Sequence, residues 1–299
     1  MTAFEDLPSP KAGYERLADW VEYVALTSGA VSRTELVKQL DISSGDGGAD
    51  AGKDDSEEDE DTPIEALADA VFHELEDRLA ACGGENGAFP YTLTGSYLEK
   101  RATAAAGPYA FMVALAARSK ENGNVFRRGV KIFEQLSAAA AQCYIGSSLL
   151  ESKALVFGFP RRDPVPKGFA DALQHLCVSV GEGVGPRKDR EKLKDEKDGG
   201  LDVVAWTSFL DGRGGKLIAL GQCAAGKNWD AKTTALASPQ DWWTNWLSDR
   251  PGAMPIKMFF VPHRVTRADW INVCAHAGIL FDRCRIAHLT STIPADLVD

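Results

Sequence analysis

Three features that would assign this chain to a class at once are missing from its 299 residues. The six cysteines form no C-x-x-C pair, which excludes the usual spacings of a zinc site and of a disulfide framework. The longest mainly apolar stretch, 109–117, has about half the length that a bilayer requires. No basic segment followed by an apolar run opens the sequence, so we expect a cytoplasmic protein that contacts no membrane.

The chain also lacks the excess of positive charge that is typical of nucleic-acid-binding proteins, because its net charge is −10. This negative charge is concentrated. Residues 41–62 hold ten acidic residues and one lysine, which leaves the remainder of the chain with a net charge of −1. The segment is rich in glycine and acids and has no aromatic residue, a composition that predicts a disordered linker over residues 44–61. A docking tail or a mimic of DNA is the alternative function.

Apolar residues spaced by three and four predict helices in the first 120 residues and alternating helices and strands beyond them. The first two helices flank a glycine and would suit a DNA-binding helix-turn-helix, although simple packing is the more common role of such a pair. We divide the chain into N-terminal helices over 1–43, the linker over 44–61, a helical region over 62–122 and a final domain over 123–299. The predicted fold class is α/β, with a helical N-terminal region followed by a mixed sheet flanked by helices.

The segment 197–229 carries the most informative chemical pattern of the chain. Two runs of β-forming residues are joined by a glycine-containing loop, 211–215, which predicts a β-hairpin. Counting outward from this loop places Asp202 opposite the stretch from Gln222 to Ala224. A divalent cation would explain an acid and an amide next to each other on an apolar sheet, so we expect Asp202 and Gln222 to share one face.

Oxygen ligands of this kind suit Mg²⁺ or Mn²⁺, because Mg²⁺ is usually bound by one or two carboxylates together with waters. Such a cation neutralises charge on a phosphate and lowers the pKa of a water molecule. Asp202 is the predicted principal carboxylate, Gln222 would contribute its side-chain oxygen, and Cys223 its backbone carbonyl. A helical glutamate would complete the set, and the residues alone leave two candidates open, Glu134 and Glu182.

Three short motifs follow one another with the spacing of a known superfamily. The sequence F-E-Q-L stands at 133–136, early in a predicted helix; D-G-G-L-D stands at 198–202 before a predicted strand; and Gln222 lies near the end of the next strand. Over roughly residues 125–230 this pattern resembles the PD-(D/E)XK restriction-endonuclease-like superfamily, in particular its methylation-dependent restriction enzymes. In that branch an F-E-x-L helix precedes a D-G-G-x-D strand, and Q-x-K lies on the strand after it. The resemblance implies a restriction-endonuclease-like domain over 123–299.

The resemblance further implies a metal-dependent nuclease that hydrolyses phosphodiester bonds in DNA, within a restriction or anti-phage defence system. It ranks Glu134 ahead of Glu182 as the helical glutamate. The lysine that the family places two residues after the glutamine is Ala224 here. Lys227, just beyond the strand, is the predicted substitute, since a lysine side chain can reach the same point from a displaced origin. Lys216 lies eight residues from Ala224, roughly 26 Å along a strand, which is too far.

The missing lysine leaves two other functions open. A catalytically inactive nuclease-like subunit would bind nucleic acid, or a protein partner in a defence complex. An interaction adaptor would instead use its acidic segment to compete with DNA for basic surfaces. In the nuclease, the N-terminal helices would sense a signal, bind a partner or set a homo-oligomeric state. The tryptophans at 242–246 could stack on bases, although core packing is the more common role of aromatic residues at helical spacing.

Overall fold

The computed structural model describes residues 7–45, 63–102, 107–188, 193 and 196–291. Apart from its first two residues, the predicted acidic linker 44–61 lies outside this part of the chain. The chain divides into two compact units, Met1–Glu121 and Asn122–Asp299, so the predicted regions 1–43 and 62–122, apart from residue 122, fall within one unit. Within the described residues, no helix combines the length and the apolar character needed to cross a bilayer.

The first unit is mixed rather than purely helical. Its described part holds four helices: α1 (Tyr14–Ser28), α2 (Arg33–Gly45), α3 (Pro63–Ala81) and α4 (Pro108–Ala117). It also holds an antiparallel sheet in the order β1-β3-β2, formed by β1 (Ala30–Ser32), β2 (Tyr91–Thr94) and β3 (Tyr97–Lys100). The prediction of only helices is therefore wrong here, because strands of three or four residues are too short to display a period of two. The predicted helix pair is joined through β1, which pairs with β3, and not by a turn alone.

A buried arginine holds the helices of this unit together. The side chain of Arg78 on α3 is fully buried and donates hydrogen bonds of 2.8 Å to Asp19, Glu22 and Glu74. A buried charge is tolerated only when it is paired and hydrogen-bonded, so these acids and Arg78 depend on one another. The network connects α1 with α3, two helices that are distant in sequence.

We expect Arg78→Met to lower the free energy of unfolding by about 3–5 kcal/mol, because it leaves buried carboxylates without their cation. The measurement is urea unfolding of the full chain followed by circular dichroism. The matched control is Arg118→Met, because the Arg118–Glu121 pair is 3.9 Å apart with side chains 39% and 35% exposed. Its expected effect is below about 1 kcal/mol. Equal losses of unfolding free energy in Arg78→Met and Arg118→Met would contradict this account.

The second unit contains the predicted mixed sheet. Its described strands lie in the order β4 (Ser152–Val156), β5 (Val203–Thr207), β6 (Ile218–Cys223), β7 (Ile256–Phe260) and β8 (Ile279–Phe281). The β4-β5 and β5-β6 pairs are antiparallel, whereas the β6-β7 and β7-β8 pairs are parallel. The helices are α5 (Asn124–Ile145), α6 (Phe169–Val180), α7 (Pro239–Trp246), α8 (Trp270–Ala277) and α9 (Arg283–Thr290). The hairpin β5-β6 follows the prediction, whereas β4 is a strand that the sequence pattern did not indicate.

The two faces of the central hairpin have different neighbours. Val204 and Trp206 of β5 belong to one apolar cluster with residues of α6 and α7, including Trp242 and Trp243. Thr207, the next residue after Trp206, lies on the other face, where its hydroxyl donates to a carbonyl of α5 at 3.0 Å. The tryptophans of α7 are therefore core residues, as the more common role predicts, and α5 covers the opposite face of the hairpin.

Candidate functional site

Asp202 lies immediately before β5, where its main chain and side chain connect three strand ends. Its N–H donates to the carbonyl of Gly221 at 2.9 Å. Its own carbonyl accepts from the N–H groups of Phe157 and Gly158, at 2.7 and 3.1 Å, just beyond the end of β4. The carboxylate Oδ2 accepts from the N–H of Cys223 at 2.8 Å. These four bonds fix both the position and the orientation of the carboxylate.

The alternation of side chains is interrupted at Asp202, whose carboxylate is directed toward α5. Leu201 and Val204 both belong to the cluster on the α6 and α7 face. Val203 faces away from that cluster, as the neighbour of Val204 in a strand must, and the side chain of Asp202 is on the same side as Val203. Asp202 comes before Val203, the first residue of β5, so the alternation of side chains along the strand does not determine the direction of its carboxylate.

Glu134 on α5 lies close to this carboxylate. A Cβ atom added to Gly158 would lie 2.7 Å from Asp202 Oδ1 and 3.4 Å from Glu134 Oε2. The two oxygens can therefore be no farther apart than the sum of these distances. Asp198 adds a third negative charge, since its carboxylate raises the pKa of both neighbours. The helical glutamate favoured by the resemblance is thus brought to Asp202, and glycine at 158 leaves room for both.

The two carboxylates retain protons more tightly than usual. Burial raises the pKa of Asp202 to about 7; the hydrogen bond from Cys223 lowers it in part, and the charge of Glu134 raises it further. Burial also raises the pKa of Glu134, against a hydrogen bond from Lys131 that lowers it. Negative charge at this place is under-compensated, so a cation that binds both carboxylates would be stabilised.

Lys131 is a site residue that the sequence reasoning missed. Its Nζ donates to both carboxylate oxygens of Glu134, at 2.9 and 2.8 Å, and to the carbonyl of Phe159 at 3.0 Å. The family pattern places its lysine on the strand that is β6 here, so the sequence directed attention to Lys216 and Lys227 and not to α5. The signal that could have found Lys131 is its position three residues before Glu134, which places both on one face of the helix.

Gln222 is not brought together with Asp202. The β5-β6 ladder ends with Val203 paired to Gly221, so Asp202 and Gln222 are the next residue of each segment beyond it, close to the position that counting from the loop predicts. The Asp202 carboxylate is directed toward α5, however, whereas Gln222 Oε1 accepts from the N–H of Leu236, a residue of the cluster on the other face, at 3.1 Å. The expectation that both side chains share one face is therefore wrong. Gln222 anchors the segment that follows β6.

Glu182 and Lys227 are also placed away from the pair. The carboxylate of Glu182 accepts from the N–H groups of Gly215, Lys216 and Gly252, at 2.7, 3.0 and 2.9 Å. These bonds lie at the loop end of the hairpin, separated from Asp202 by the length of β5, so Glu182 has a structural role. Lys227 is exposed and lines a separate cleft of about 440 Å³ with residues of α8.

Cys223 is next to Asp202, but its thiol is not a reactive group. Burial raises the pKa of Cys223 well above its ordinary value, and the negative charges of Asp202 and Glu134 raise it further. The thiol therefore stays protonated at neutral pH, which disfavours it as a metal ligand or a nucleophile. The predicted role of the Cys223 backbone carbonyl as a ligand stays a prediction.

A cleft of about 260 Å³ opens beside Glu134. One wall is α5, with Lys131 and Glu134; the floor is the edge strand β4; and the other wall includes Gly158, Arg162 and Asp163. At about 30 Å³ per water molecule, this volume holds roughly nine waters. It therefore has room for a phosphate group.

The donor set at this place fits Mg²⁺ better than a metal that requires a full protein cage. Among the described residues, no group of three or more histidine, cysteine, aspartate and glutamate side chains is arranged to hold a metal ion. Glu134 and Asp202 supply two carboxylates. Mg²⁺ usually keeps several waters and takes one or two carboxylates plus the phosphates of its substrate, so two are sufficient.

No protein-family model, no curated protein and no solved structure matches this chain. The function proposed below consequently relies on the geometry of the Asp202–Glu134 pair and on the resemblance of its motifs.

We expect Asp202→Asn to stabilise the metal-free protein at neutral and alkaline pH. Asparagine keeps an oxygen for the N–H of Cys223 but buries no charge. The pKa of Asp202 is about 7 in the folded protein against an ordinary value of 3.8, so the folded state binds a proton that the unfolded chain releases between these values. The stability contributed by this proton is complete below the lower value and is lost as the pH rises through the higher one.

Urea unfolding with a chelator present measures this effect. The unfolding free energy of the variant should exceed that of the wild type by on the order of 4 kcal/mol at about pH 8 and by little at about pH 4. A variant that is less stable than the wild type at pH 8 would contradict the assignment of a buried carboxylate with a raised pKa.

Proposed function

We propose that this protein is a metal-dependent nuclease that hydrolyses phosphodiester bonds in DNA, with Mg²⁺ or Mn²⁺ bound by Asp202 and Glu134. The observation that carries the proposal is the pairing of these two carboxylates, with Lys131 beside them, at an open cleft. A buried pair of acids that had no function would only lower the stability of the fold. Strongly shifted pKa values cluster at functional sites. The motifs at 133–136 and 198–202 support a place in a restriction or anti-phage system.

The surrounding fold supports the same proposal. In the unit Asn122–Asp299, α5 covers an antiparallel β4-β5-β6 sheet that continues with two parallel strands. This is the arrangement that the resemblance to the restriction-endonuclease-like superfamily implies, and we propose that fold for the unit. All six cysteines are free, which fits the reducing cytoplasm in which we place the protein.

Each residue of the site has a role in this chemistry. A divalent cation bound there would neutralise charge on the scissile phosphate and lower the pKa of a water. Asp202 is held in position by the N–H of Cys223, and Glu134 faces it from α5. Lys131 takes the role of the family lysine, whose position in this sequence is occupied by Ala224. Its ammonium group lies at the cleft and can stabilise negative charge on the transferring phosphoryl group.

Two observations favour a second candidate, a catalytically inactive nuclease-like subunit that binds nucleic acid or a protein partner. The side chain of Gln222 is turned to the far face and bonded to Leu236. Ala224 occupies the position of the family lysine. In this candidate the two carboxylates would persist as a remnant of the site, and the protein would bind without cleaving.

Cleavage of plasmid DNA with Mg²⁺ or Mn²⁺ distinguishes the two candidates. We expect the wild type to cleave, Asp202→Asn to abolish cleavage, and Lys131→Met to reduce its rate by about 10²-fold, the usual effect of removing one group that stabilises transition-state charge. Lys227→Met tests the lysine that the sequence favoured and should leave the rate unchanged. A second control is Lys153→Met on β4, whose side chain is 50% exposed.

Cleavage by Asp202→Asn at the rate of the wild type would remove this residue from the mechanism. If Lys227→Met is inactive and Lys131→Met is active, the lysine assignment made from the structure is wrong. Absence of cleavage by the wild type, together with absence of Mn²⁺ binding, would favour the inactive subunit.

A further inference from the structure

We infer that a DNA strand runs along the N-terminal half of α5 into the cleft at Glu134, with Arg127, Lys131 and Arg162 each contacting a phosphate. The inference rests on the proposed function, because it concerns the path of the same substrate. DNA binding along this path can nevertheless be measured without cleavage.

The first support is a stripe of charged residues on one face of α5. Arg127, Lys131 and Glu134 follow one another at spacings of four and three, so their side chains are neighbours about 5–6 Å apart at Cβ. Arg127 is exposed, Lys131 is half-buried and Glu134 is buried. The stripe therefore leads from solvent near the start of the helix to the carboxylate pair.

The second support is a cation on the opposite wall of the cleft. Arg162 is exposed and lines the cleft that Lys131 and Glu134 also line. Its positive charge lowers the pKa of Glu134, which places it within electrostatic reach of the carboxylate. Asp163 is the only acid on that wall of the cleft as described. A phosphate between Lys131 and Arg162 would contact cations on two sides.

The third support is the local sign of the charge. The whole chain has a net charge of −10, yet Arg127, Arg128 and Lys131 stand within five residues of one another without an acid between them. Phosphate contacts by lysine and arginine supply most of the affinity of proteins for DNA, and a local cluster is sufficient for that. The partially positive N-terminal end of α5 adds to the attraction for a phosphate.

The test is the salt dependence of DNA binding by the full chain carrying Asp202→Asn, which keeps the probe intact. The probe is a short fluorescein-labelled DNA duplex, and its anisotropy is titrated at several NaCl concentrations. The slope of log K against log salt is negative. Adding Arg127→Gln or Arg162→Gln should each reduce its magnitude by about 0.9 and weaken binding about fivefold to tenfold at 0.1 M salt. The matched control is Arg213→Gln, because Arg213 lies in the hairpin loop with its side chain 86% exposed.

Slopes that do not change in Arg127→Gln and Arg162→Gln would overturn the inference, and so would an equal change in Arg213→Gln. Displacement of the duplex by polyglutamate at equal charge concentration would overturn DNA as the occupant. Binding with the expected slopes by a chain whose wild type never cleaves would contradict the proposed nuclease and leave the DNA path intact. Cleavage by the wild type together with unchanged slopes in the arginine variants would support the proposed nuclease and contradict the DNA path.

Discussion

The burial of the Asp202 carboxylate beside Glu134 is the constraint on which the architecture of the second unit depends. The main chain of Asp202 joins the end of β4 to β6, its side chain is fixed by the N–H of Cys223, and Gly158 must lack a side chain to make room. Each of these features holds two like charges close together in a partly dehydrated place. Such an arrangement opposes folding unless positive charge compensates it. Lys131 compensates Glu134, and the proposed divalent cation would compensate both carboxylates.

Much of the fold follows from local patterns in the sequence. The helices predicted in the first 120 residues are found as α1 to α4, and the alternation of helices and strands predicted beyond them is found in the second unit. Long amphipathic stripes predict helices well because every turn repeats the signal. The strands of the first unit and β4 have only three to five residues, too few for a clear alternation. In addition, β1 pairs with β3 and β4 pairs with β5, partners that are distant in sequence, and no local pattern records those pairings.

The candidate site was predictable to the extent that it depends on register. Counting from the hairpin loop placed Asp202 opposite the stretch from Gln222 to Ala224, and the motif resemblance ranked Glu134 ahead of Glu182. The direction of the Asp202 side chain was not predictable, because Asp202 lies just before β5, where the alternation of side chains along the strand no longer applies. Its carboxylate and the side chain of Gln222 therefore lie on different faces.

The most direct measurement of the central claim is a double-mutant cycle on Mn²⁺ affinity, with Glu134→Gln, Asp202→Asn and the double variant titrated by calorimetry. If both carboxylates bind one ion, each single variant loses most of the affinity and the second substitution adds little, so the effects are strongly non-additive. Additive effects, or Mn²⁺ binding that neither substitution changes, would show that the two carboxylates do not share a cation.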